Sequence, residues 1–169
     1  MTNMIYPLWI IPDSKTKESL SKIINKLSKK YNSIVFEPHM TLLGVINCNE
    51  KTIIKGVKKL AKTFNPFTLT LSKVSFSTTY FQSVFVQVKS TAKLMEANLA
   101  AKKIFKMDND MFVPHISLLY GNYEMKAREK IAEQIKLPKM AFKAKEITIV
   151  PSTQNPNEWK ALIKIPFEN

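Results

Sequence analysis

Cysteine and glycine are scarce in this chain of 169 residues. The one cysteine, Cys48, cannot form a disulfide within the chain or supply the several thiolates of a cysteine-based zinc site. The three glycines are spread out, and no Gly/Ser-rich stretch marks a linker. These absences exclude a disulfide scaffold and favour a reducing compartment, so we expect a cytoplasmic protein.

Long hydrophobic runs are also missing. A membrane-spanning helix needs about 18 consecutive apolar residues, which occur nowhere, and the early apolar stretch YPLWIIP is interrupted by proline and lacks a basic leader. With 45% apolar residues, the chain can still bury a substantial core. We therefore predict one bilobal domain over residues 1–169, a monomer without a membrane partner.

The chain is strongly basic: its net charge is +13, from 26 lysine and arginine residues and 13 acidic ones. Such an excess suits a polyanion, because basic side chains that contact phosphates release counterions. However, Arg128 is the single arginine, and bidentate phosphate clamps favour arginine over lysine. RNA or an oligonucleotide is therefore one candidate partner, and a lysine-rich composition without functional meaning is the alternative.

Hydrophobic periodicity divides the sequence into alternating strands and helices. The predicted strands are YPLWIIP (6–12), FEPHMTLLG (36–44), FTLTLSKVSF (67–76), SVFVQV (83–88), VPHISLLYG (113–121), EITIV (146–150) and WKALIKI (159–165). Helices are predicted after a cap at Asp13 or Ser14, from near Asn49, over residues 94–105, and around 124–136.

The second half of the chain repeats the order of the first. In each half an aromatic residue lies 30 positions before a histidine: Trp9 before His39 (39 − 9) and Phe85 before His115 (115 − 85). We therefore predict an α+β fold of two lobes, with two largely antiparallel sheets, helices packed outside, and a pseudo-twofold axis through a central cleft.

The only two histidines lie in two copies of one pattern, EPHMTLLG and VPHISLLYG, 76 residues apart (115 − 39). Residues two apart on a strand point the same way, so His39 lies beside Thr41 and His115 beside Ser117. A pseudo-twofold brings two imidazoles and two hydroxyls to one cleft. One imidazole can then act as general base and the other as general acid on a phosphodiester, while the hydroxyls donate to its oxygens.

Other interpretations of these residues are weaker. An isolated histidine on a strand is usually structural, but two copies of one motif that hold both histidines argue against that. Two histidines without suitably spaced Cys, Asp or Glu make a poor zinc site, so we expect no metal and no cofactor. A Ser-His-Asp triad is not indicated either, since neither motif contains the G-x-S-x-G turn.

The paired H-x-[ST] motifs resemble those of the 2H phosphoesterase superfamily, and the chain is similar, nearly end to end, to the plant and yeast cyclic phosphodiesterases within it. The stretches YPLWIIP, YFQSVFVQV and NEWKALI carry the rest of the likeness. The resemblance implies a bilobal fold, a water-filled cleft and metal-independent opening of a cyclic phosphate. It also implies that Trp9, Phe81 and Tyr120 border the base or phosphate pocket; core packing is the alternative for each.

The resemblance further implies His115 as base, His39 as acid and a 2′-phosphate as product. The implied substrate is a 2′,3′-cyclic nucleotide or ADP-ribose 1″,2″-cyclic phosphate. Other superfamily members cleave 2′,5′-oligoadenylate, RNA 3′ ends or cyclic oligonucleotide signals, which is a second hypothesis, and a non-catalytic RNA-binding module is a third. Gly44 follows the first motif, where a larger side chain would narrow the cleft.

Overall fold

The structure is a computed structural model that describes residues 3–108, 111–153 and 155–168. Its elements, in chain order, are β1 Met4–Ile10, α1 Ser14–Tyr31, β2 Met40–Cys48, α2 Glu50–Ala61, β3 Phe67–Phe76, β4 Val84–Val88, α3 Ala92–Phe105, β5 His115–Leu119, α4 Met125–Gln134, β6 Ala141–Ala144, β7 Glu146–Ile149 and β8 Ile163–Pro166, with a short 3₁₀ turn at Pro156–Glu158. The predicted α+β class is confirmed.

Two of the helices, α1 and α2, begin where the sequence places caps. The Asp13 carboxylate accepts a hydrogen bond from the Thr16 amide and caps α1, and the Asn49 side chain accepts one from the Thr52 amide and caps α2. These caps satisfy amides that have no partner inside a helix. The apolar faces of all four helices then join one core against the sheet, with Leu20, Ile24, Ile53, Val57, Leu94 and Ile131 all buried.

The strands form one eight-stranded antiparallel sheet in the order β6-β3-β4-β5-β2-β1-β7-β8. The two predicted sheets are its two halves, and they meet where β2 pairs with β5 through Met40 and Ile116. Leu8 and Leu42 face the helices, whereas Trp9 and Thr41 line a cavity on the other side of the sheet. The sheet therefore separates a helix-covered core from an open face.

The pseudo-twofold is visible in the strand register. Trp9 on β1 lies opposite Thr41 on β2, and Phe85 on β4 lies opposite Ser117 on β5. Opposed residues of an antiparallel pair point to the same face. Each half therefore presents an aromatic ring beside the hydroxyl of its motif.

Several element boundaries differ from the predictions; β1, for example, runs Met4–Ile10 and β5 runs His115–Leu119. Strand β2 starts at Met40, because Pro38 removes an amide that sheet pairing would need. The last strand is shorter than predicted and begins at Ile163, after the 3₁₀ turn. Strand β6 was not predicted, since its four residues are too few for a periodic signal. No helix of the described residues has the length and apolarity to cross a membrane.

Candidate active site

Each histidine is held by a backbone carbonyl two residues earlier. The Nδ1 atom of His39 lies 2.6 Å from the carbonyl oxygen of Glu37, and that of His115 lies 2.8 Å from the carbonyl oxygen of Val113. A carbonyl only accepts, so Nδ1 carries the proton in both rings. Each neutral imidazole therefore keeps an unprotonated Nε2, the nitrogen that can accept a proton, or donate one once the ring is charged.

One cavity of about 530 Å³ brings both motifs together. His39, Thr41, His115 and Ser117 all line it, on the face of the sheet opposite the helices. A larger cavity of about 1030 Å³ lies beside α2; half of its lining residues are lysines, and neither histidine is in its wall. We take the smaller one, the histidine cavity, as the candidate active site, because it alone contains paired acid–base groups among the described residues.

The two hydroxyls differ in their hydrogen bonds. The Ser117 Oγ atom donates to the carbonyl oxygen of Phe81 at 2.6 Å and is nearly buried. The Thr41 hydroxyl is half-buried and has no hydrogen bond to another described residue. Thr41 can therefore donate to a ligand directly, whereas Ser117 must first turn away from Phe81.

Burial lowers the pKa of both histidines. Loss of solvent brings the pKa of His39 from 6.5 to about 4, against the opposing effects of its bond to the Glu37 carbonyl and of the Glu37 charge. Burial also lowers the pKa of His115, opposed by its bond to the Val113 carbonyl. Both rings are therefore neutral near pH 7 in the empty cavity, and an anionic ligand would favour the charged forms.

Aromatic rings support the histidines. The Trp9 ring stacks on the His39 ring, with centroids 3.6 Å apart and planes 13° apart. The Phe85 ring meets the His115 ring edge-on, with centroids 5.3 Å apart. Trp9 is 3% exposed, so one ring face covers His39 and little surface remains for a ligand. Its position fits a residue that orients and desolvates His39.

The other two predicted aromatics also line the cavity, with different exposure. Tyr120 is buried and stacks on Phe36, with centroids 3.7 Å apart, so core packing accounts for most of its surface. Phe81 is 51% exposed and meets the Tyr120 ring edge-on, so it forms a wall of the cavity and not part of the core.

Trp159 also lines the cavity, although it was not among the predicted site residues. Its ring centroid lies 5.9 Å from those of both Trp9 and Phe81, and its Nε1 donates to the carbonyl oxygen of Thr153 at 2.9 Å. From sequence, the stretch NEWKALI indicates only the entry to the last strand. The feature that could have indicated a site residue here is the large aromatic side chain of Trp159, which directly follows the 3₁₀ turn.

Arg128 stands out in the sequence only as an isolated arginine, but its contacts reach the site. It is 2% exposed and donates to three carbonyl oxygens: Ser77 at 2.7 Å, Thr79 at 2.9 Å and Tyr123 at 2.8 Å. The first two belong to the β3–β4 loop (residues 77–83), which carries Phe81. The guanidinium therefore anchors one wall of the histidine cavity from behind.

A metal site is not indicated by the described part of the chain, in which no three His, Cys, Asp or Glu side chains come together. The two cavity histidines are accompanied by hydroxyls, and the fixed Nδ1 protons leave each ring one nitrogen for chemistry. This donor set suits proton transfer better than metal binding.

Solved structures share the fold across nearly the whole chain. The Escherichia coli LigT protein, solved in complex with 3′-AMP, superposes with a TM-score of 0.67 at 16% identity and full coverage of both chains. The TT0787 protein of Thermus thermophilus has a TM-score of 0.67 at 15% identity, covering 97% of this chain and 98% of that one. These likenesses show the fold, in which both H-x-[ST] motifs of this chain face one cavity.

A narrower relation comes from the sequence. The profile of the family described as "Cyclic phosphodiesterase-like protein" matches residues 4–167, so the chain belongs to that family. The cyclic phosphodiesterase of Arabidopsis thaliana is 28% identical over 131 residues, covering 77% of this chain and 72% of that protein. A putative phosphoesterase of Oceanobacillus iheyensis is 24% identical over 120 residues, covering 68% and 69%. The predicted class of enzyme is confirmed.

Proposed function

We propose that this phosphoesterase hydrolyses a cyclic phosphate on a nucleotide, with His39 and His115 as its acid–base pair. The observation that carries the proposal is the shared cavity, in which both rings are fixed by Nδ1 bonds and two motif hydroxyls accompany them. A five-membered cyclic phosphate needs one water, one base and one acid for opening. The LigT structures with 3′-AMP, ATP and NADP+ support a nucleotide as the ligand class.

The proposed reaction moves two protons. The neutral Nε2 of His115 takes a proton from water as the water oxygen bonds to phosphorus. The bond from phosphorus to the 3′ oxygen breaks, and that oxygen receives a proton from the Nε2 of charged His39. A 2′-phosphate remains. This assignment of roles follows the plant and yeast relatives, and the two rings are chemically able to exchange them.

The negative charge of the substrate stabilises the charged form of His39 in this mechanism. His39 is the more deeply buried ring, so it is neutral in the empty cavity and its charged form requires a negative partner. A bound phosphate anion supplies that partner, and the acid is then charged only in the complex. Thr41 donates to a non-bridging oxygen from the start, and Ser117 does so after leaving the Phe81 carbonyl.

The test is a substrate panel assayed with purified protein in excess EDTA. It contains the four 2′,3′-cyclic mononucleotides, ADP-ribose 1″,2″-cyclic phosphate, 2′,5′-oligoadenylate and 3′,3′-cyclic dinucleotides. We expect turnover of the first two groups and none of the others, since only the first two carry a strained preformed ring. Activity that returns only with one divalent ion, or hydrolysis restricted to the last two groups, would contradict the proposal.

A further inference from the structure

Helix α2 carries a dense set of exposed lysines on the helix-covered side of the sheet. Two cavities border this helix, one of about 1030 Å³ and one of about 770 Å³, and residues of α2 and α3 together line the second. We call them the α2 grooves. Lys55 and Lys59 line both grooves, so they lie on the ridge between them. Six exposed lysines of the groove walls form what we call the lysine surface: Lys51, Lys55, Lys58, Lys59, Lys103 and Lys106.

The positive charge of the lysine surface is not balanced by neighbouring acidic groups. Among the described residues, none of its six side chains forms an ion pair, and the ion pairs that are present involve other lysines. Glu50 is the one acidic residue in the described walls of either groove. Like charges on one helix face repel each other, so the surface favours an anionic partner.

Gly56 lets the two helices form one platform for these lysines. A Cβ atom at this position would lie 2.5 Å from the Cζ atom of Phe105 and 3.2 Å from the Cγ2 atom of Ile104. A side chain here would therefore push the Phe105 ring away from α2. Because the ring packs on the bare backbone of α2, the lysines at the end of α3 are held beside those of α2.

The lysine surface and the histidine cavity lie on opposite sides of the sheet. On β1, Tyr6 borders an α2 groove, whereas Pro7 and Trp9 border the histidine cavity. Neighbouring residues of a strand face opposite sides. No described residue lines both the histidine cavity and an α2 groove. A ligand on the lysine surface therefore leaves the histidine cavity open.

The composition of the lysine surface favours a phosphate backbone over a protein or a lipid bilayer. Protein interfaces are enriched in arginine and depleted of lysine, and no arginine is among the described residues of either groove wall. A helix that binds in a bilayer surface inserts its apolar side chains, but those of α2, Ile53, Val57 and Leu60, are buried in the core. Lysine binds phosphate as a point charge, which requires neither device.

The spacing of the lysines on α2 suits a row of phosphates. Lys51, Lys55 and Lys59 are four residues apart, and at a rise of about 1.5 Å per residue the row spans about 12 Å. Phosphates of one strand follow each other at about 3.4 Å along a duplex, so the row covers about three of them. The aromatic rings of the groove walls, Tyr6 and Phe105, are not exposed for base stacking. Contacts to a duplex backbone are therefore favoured over contacts to unpaired bases.

We propose that the lysine surface binds the phosphate backbone of double-stranded RNA, independently of base sequence and of the histidine cavity. The choice of RNA over DNA rests on the proposed function, because a 2′,3′-cyclic phosphate forms only on a ribose that carries a 2′-hydroxyl. The surface itself rests on charge, shape and spacing alone. It gives the protein a second, non-catalytic contact with the polymer in which such phosphates arise.

The test measures binding of a labelled, blunt RNA duplex of about 16 base pairs by fluorescence anisotropy at several salt concentrations. The duplex carries no cyclic phosphate. We expect a dissociation constant of about 10⁻⁶–10⁻⁴ M at physiological salt, as for contacts to phosphates alone. A DNA duplex of the same length and sequence is the comparison. RNA should bind at least as tightly as DNA, and a preference for DNA would overturn the choice of RNA.

A pair of double variants locates the binding surface. Lys55→Gln with Lys59→Gln removes two charges from the ridge at little cost in helix propensity. We expect at least about tenfold weaker binding, and a slope of log affinity against log salt that is smaller by about two. The matched control, Lys126→Gln with Lys130→Gln, removes two exposed lysines at the same spacing from α4 and should change both quantities much less. Equal effects of the two double variants would overturn the proposal.

Further measurements separate this inference from the proposed reaction. A saturating nucleoside 2′-phosphate should not displace the duplex, and His115→Asn should bind it like the wild-type protein. The Lys55 and Lys59 double variant should keep its kcat/KM on a 2′,3′-cyclic mononucleotide, which also shows that it is folded. Duplex binding by a protein that opens no cyclic phosphate would support the surface and refute only the reaction. Displacement by the nucleoside 2′-phosphate would place the duplex in the histidine cavity and overturn the proposal.

Vesicles of phosphatidylcholine and phosphatidylserine in equal parts test the alternative of a membrane surface. We expect the protein to bind the RNA duplex more tightly than these vesicles at the same salt concentration. Vesicle binding that is lost in the Lys55 and Lys59 double variant, without binding of the duplex, would identify a membrane as the partner and contradict the assignment of RNA.

Discussion

At the scale of the residue, the geometry of the two histidines follows from local sequence. In each Pro-His motif the carbonyl oxygen two residues before the histidine accepts a hydrogen bond from its Nδ1, so neighbouring residues set the ring orientation. The pair could be predicted from sequence for another reason, because both histidines lie in two copies of one motif. The contacts of Thr41 and Ser117 could not, because the Phe81 carbonyl that holds Ser117 lies 36 residues away and comes into reach only in the fold.

The difference between the hydroxyls gives the first prediction. Thr41→Val removes a free donor at nearly constant shape and should lower kcat about 10²–10³-fold with little change in KM, as for a lost oxyanion donor. Ser117→Ala also removes the bond to the Phe81 carbonyl, so we expect a lower kcat together with a raised KM. Steady-state kinetics on a 2′,3′-cyclic mononucleotide measures both. Identical changes in kcat and KM for the two variants would contradict the asymmetry.

The lowered histidine pKa values give the second prediction. With reference pKa values of about 6.5 the limbs of the pH profile would lie on either side of neutrality, but burial lowers the pKa of both rings. The kcat/KM profile, which reports the free enzyme, should therefore be bell-shaped with its maximum on the acid side of pH 7. The kcat profile should lie at higher pH, since the bound phosphate stabilises the charged acid. A kcat/KM that rises steadily to pH 10 would exclude the pair.

At the scale of the element, the β3–β4 loop is the part of the site least evident in the sequence. Its position depends on three sets of long-range bonds: Arg128 to the Ser77 and Thr79 carbonyls, the Gly121 amide to the Tyr80 carbonyl, and Ser117 to the Phe81 carbonyl. The helices and most strands were predictable because their periodicity and caps are local. The loop was not, since its anchors lie on β5, α4 and the turn between them.

The third prediction concerns Arg128. Arg128→Lys keeps the positive charge but removes the guanidinium group, whose N–H donors bond three carbonyl oxygens. Buried carbonyl oxygens therefore lose their hydrogen-bond partners. We expect the free energy of unfolding to fall by about 2–5 kcal/mol and KM for a cyclic nucleotide to rise as the Phe81 wall loosens. Urea unfolding and steady-state kinetics measure the two effects. The matched control is Lys130→Arg, a charge-conserving change at an exposed position of α4; equal behaviour of both variants would show that Arg128 does not position the loop.

At the scale of the whole molecule, one face of the sheet carries the core and the other carries the candidate active site. The helix-covered face buries a continuous apolar core, and the open face buries two titratable rings. The net charge of +13 is of the sign that favours encounter with an anionic ligand. The sequence predicted this division, because in each motif apolar residues alternate with the histidine and the hydroxyl residue.

The fourth prediction is a pH-dependent stability. In the unfolded chain His39 has a pKa near 6.5, and in the folded protein its pKa is about 4, so the unfolded state binds more protons between these values. This contribution to stability is therefore complete above pH 6.5 and is lost as the pH falls toward 4. Urea unfolding from pH 4 to 7 should show stability rising with pH, with a shallower slope in His39→Asn. The same slope in both proteins would contradict the assigned pKa.

Phosphorus NMR of a 2′,3′-cyclic mononucleotide measures whether both histidines act on one cyclic phosphate. His39→Asn and His115→Asn keep an amide that can donate to the Glu37 and Val113 carbonyls but remove Nε2. The wild-type protein should replace the cyclic signal with that of a 2′-phosphate, each variant should be slower by about 10²–10⁴-fold, and the double variant should be scarcely slower than either. Near-normal opening by either single variant, or an unchanged cyclic signal with the wild-type protein, would contradict the account.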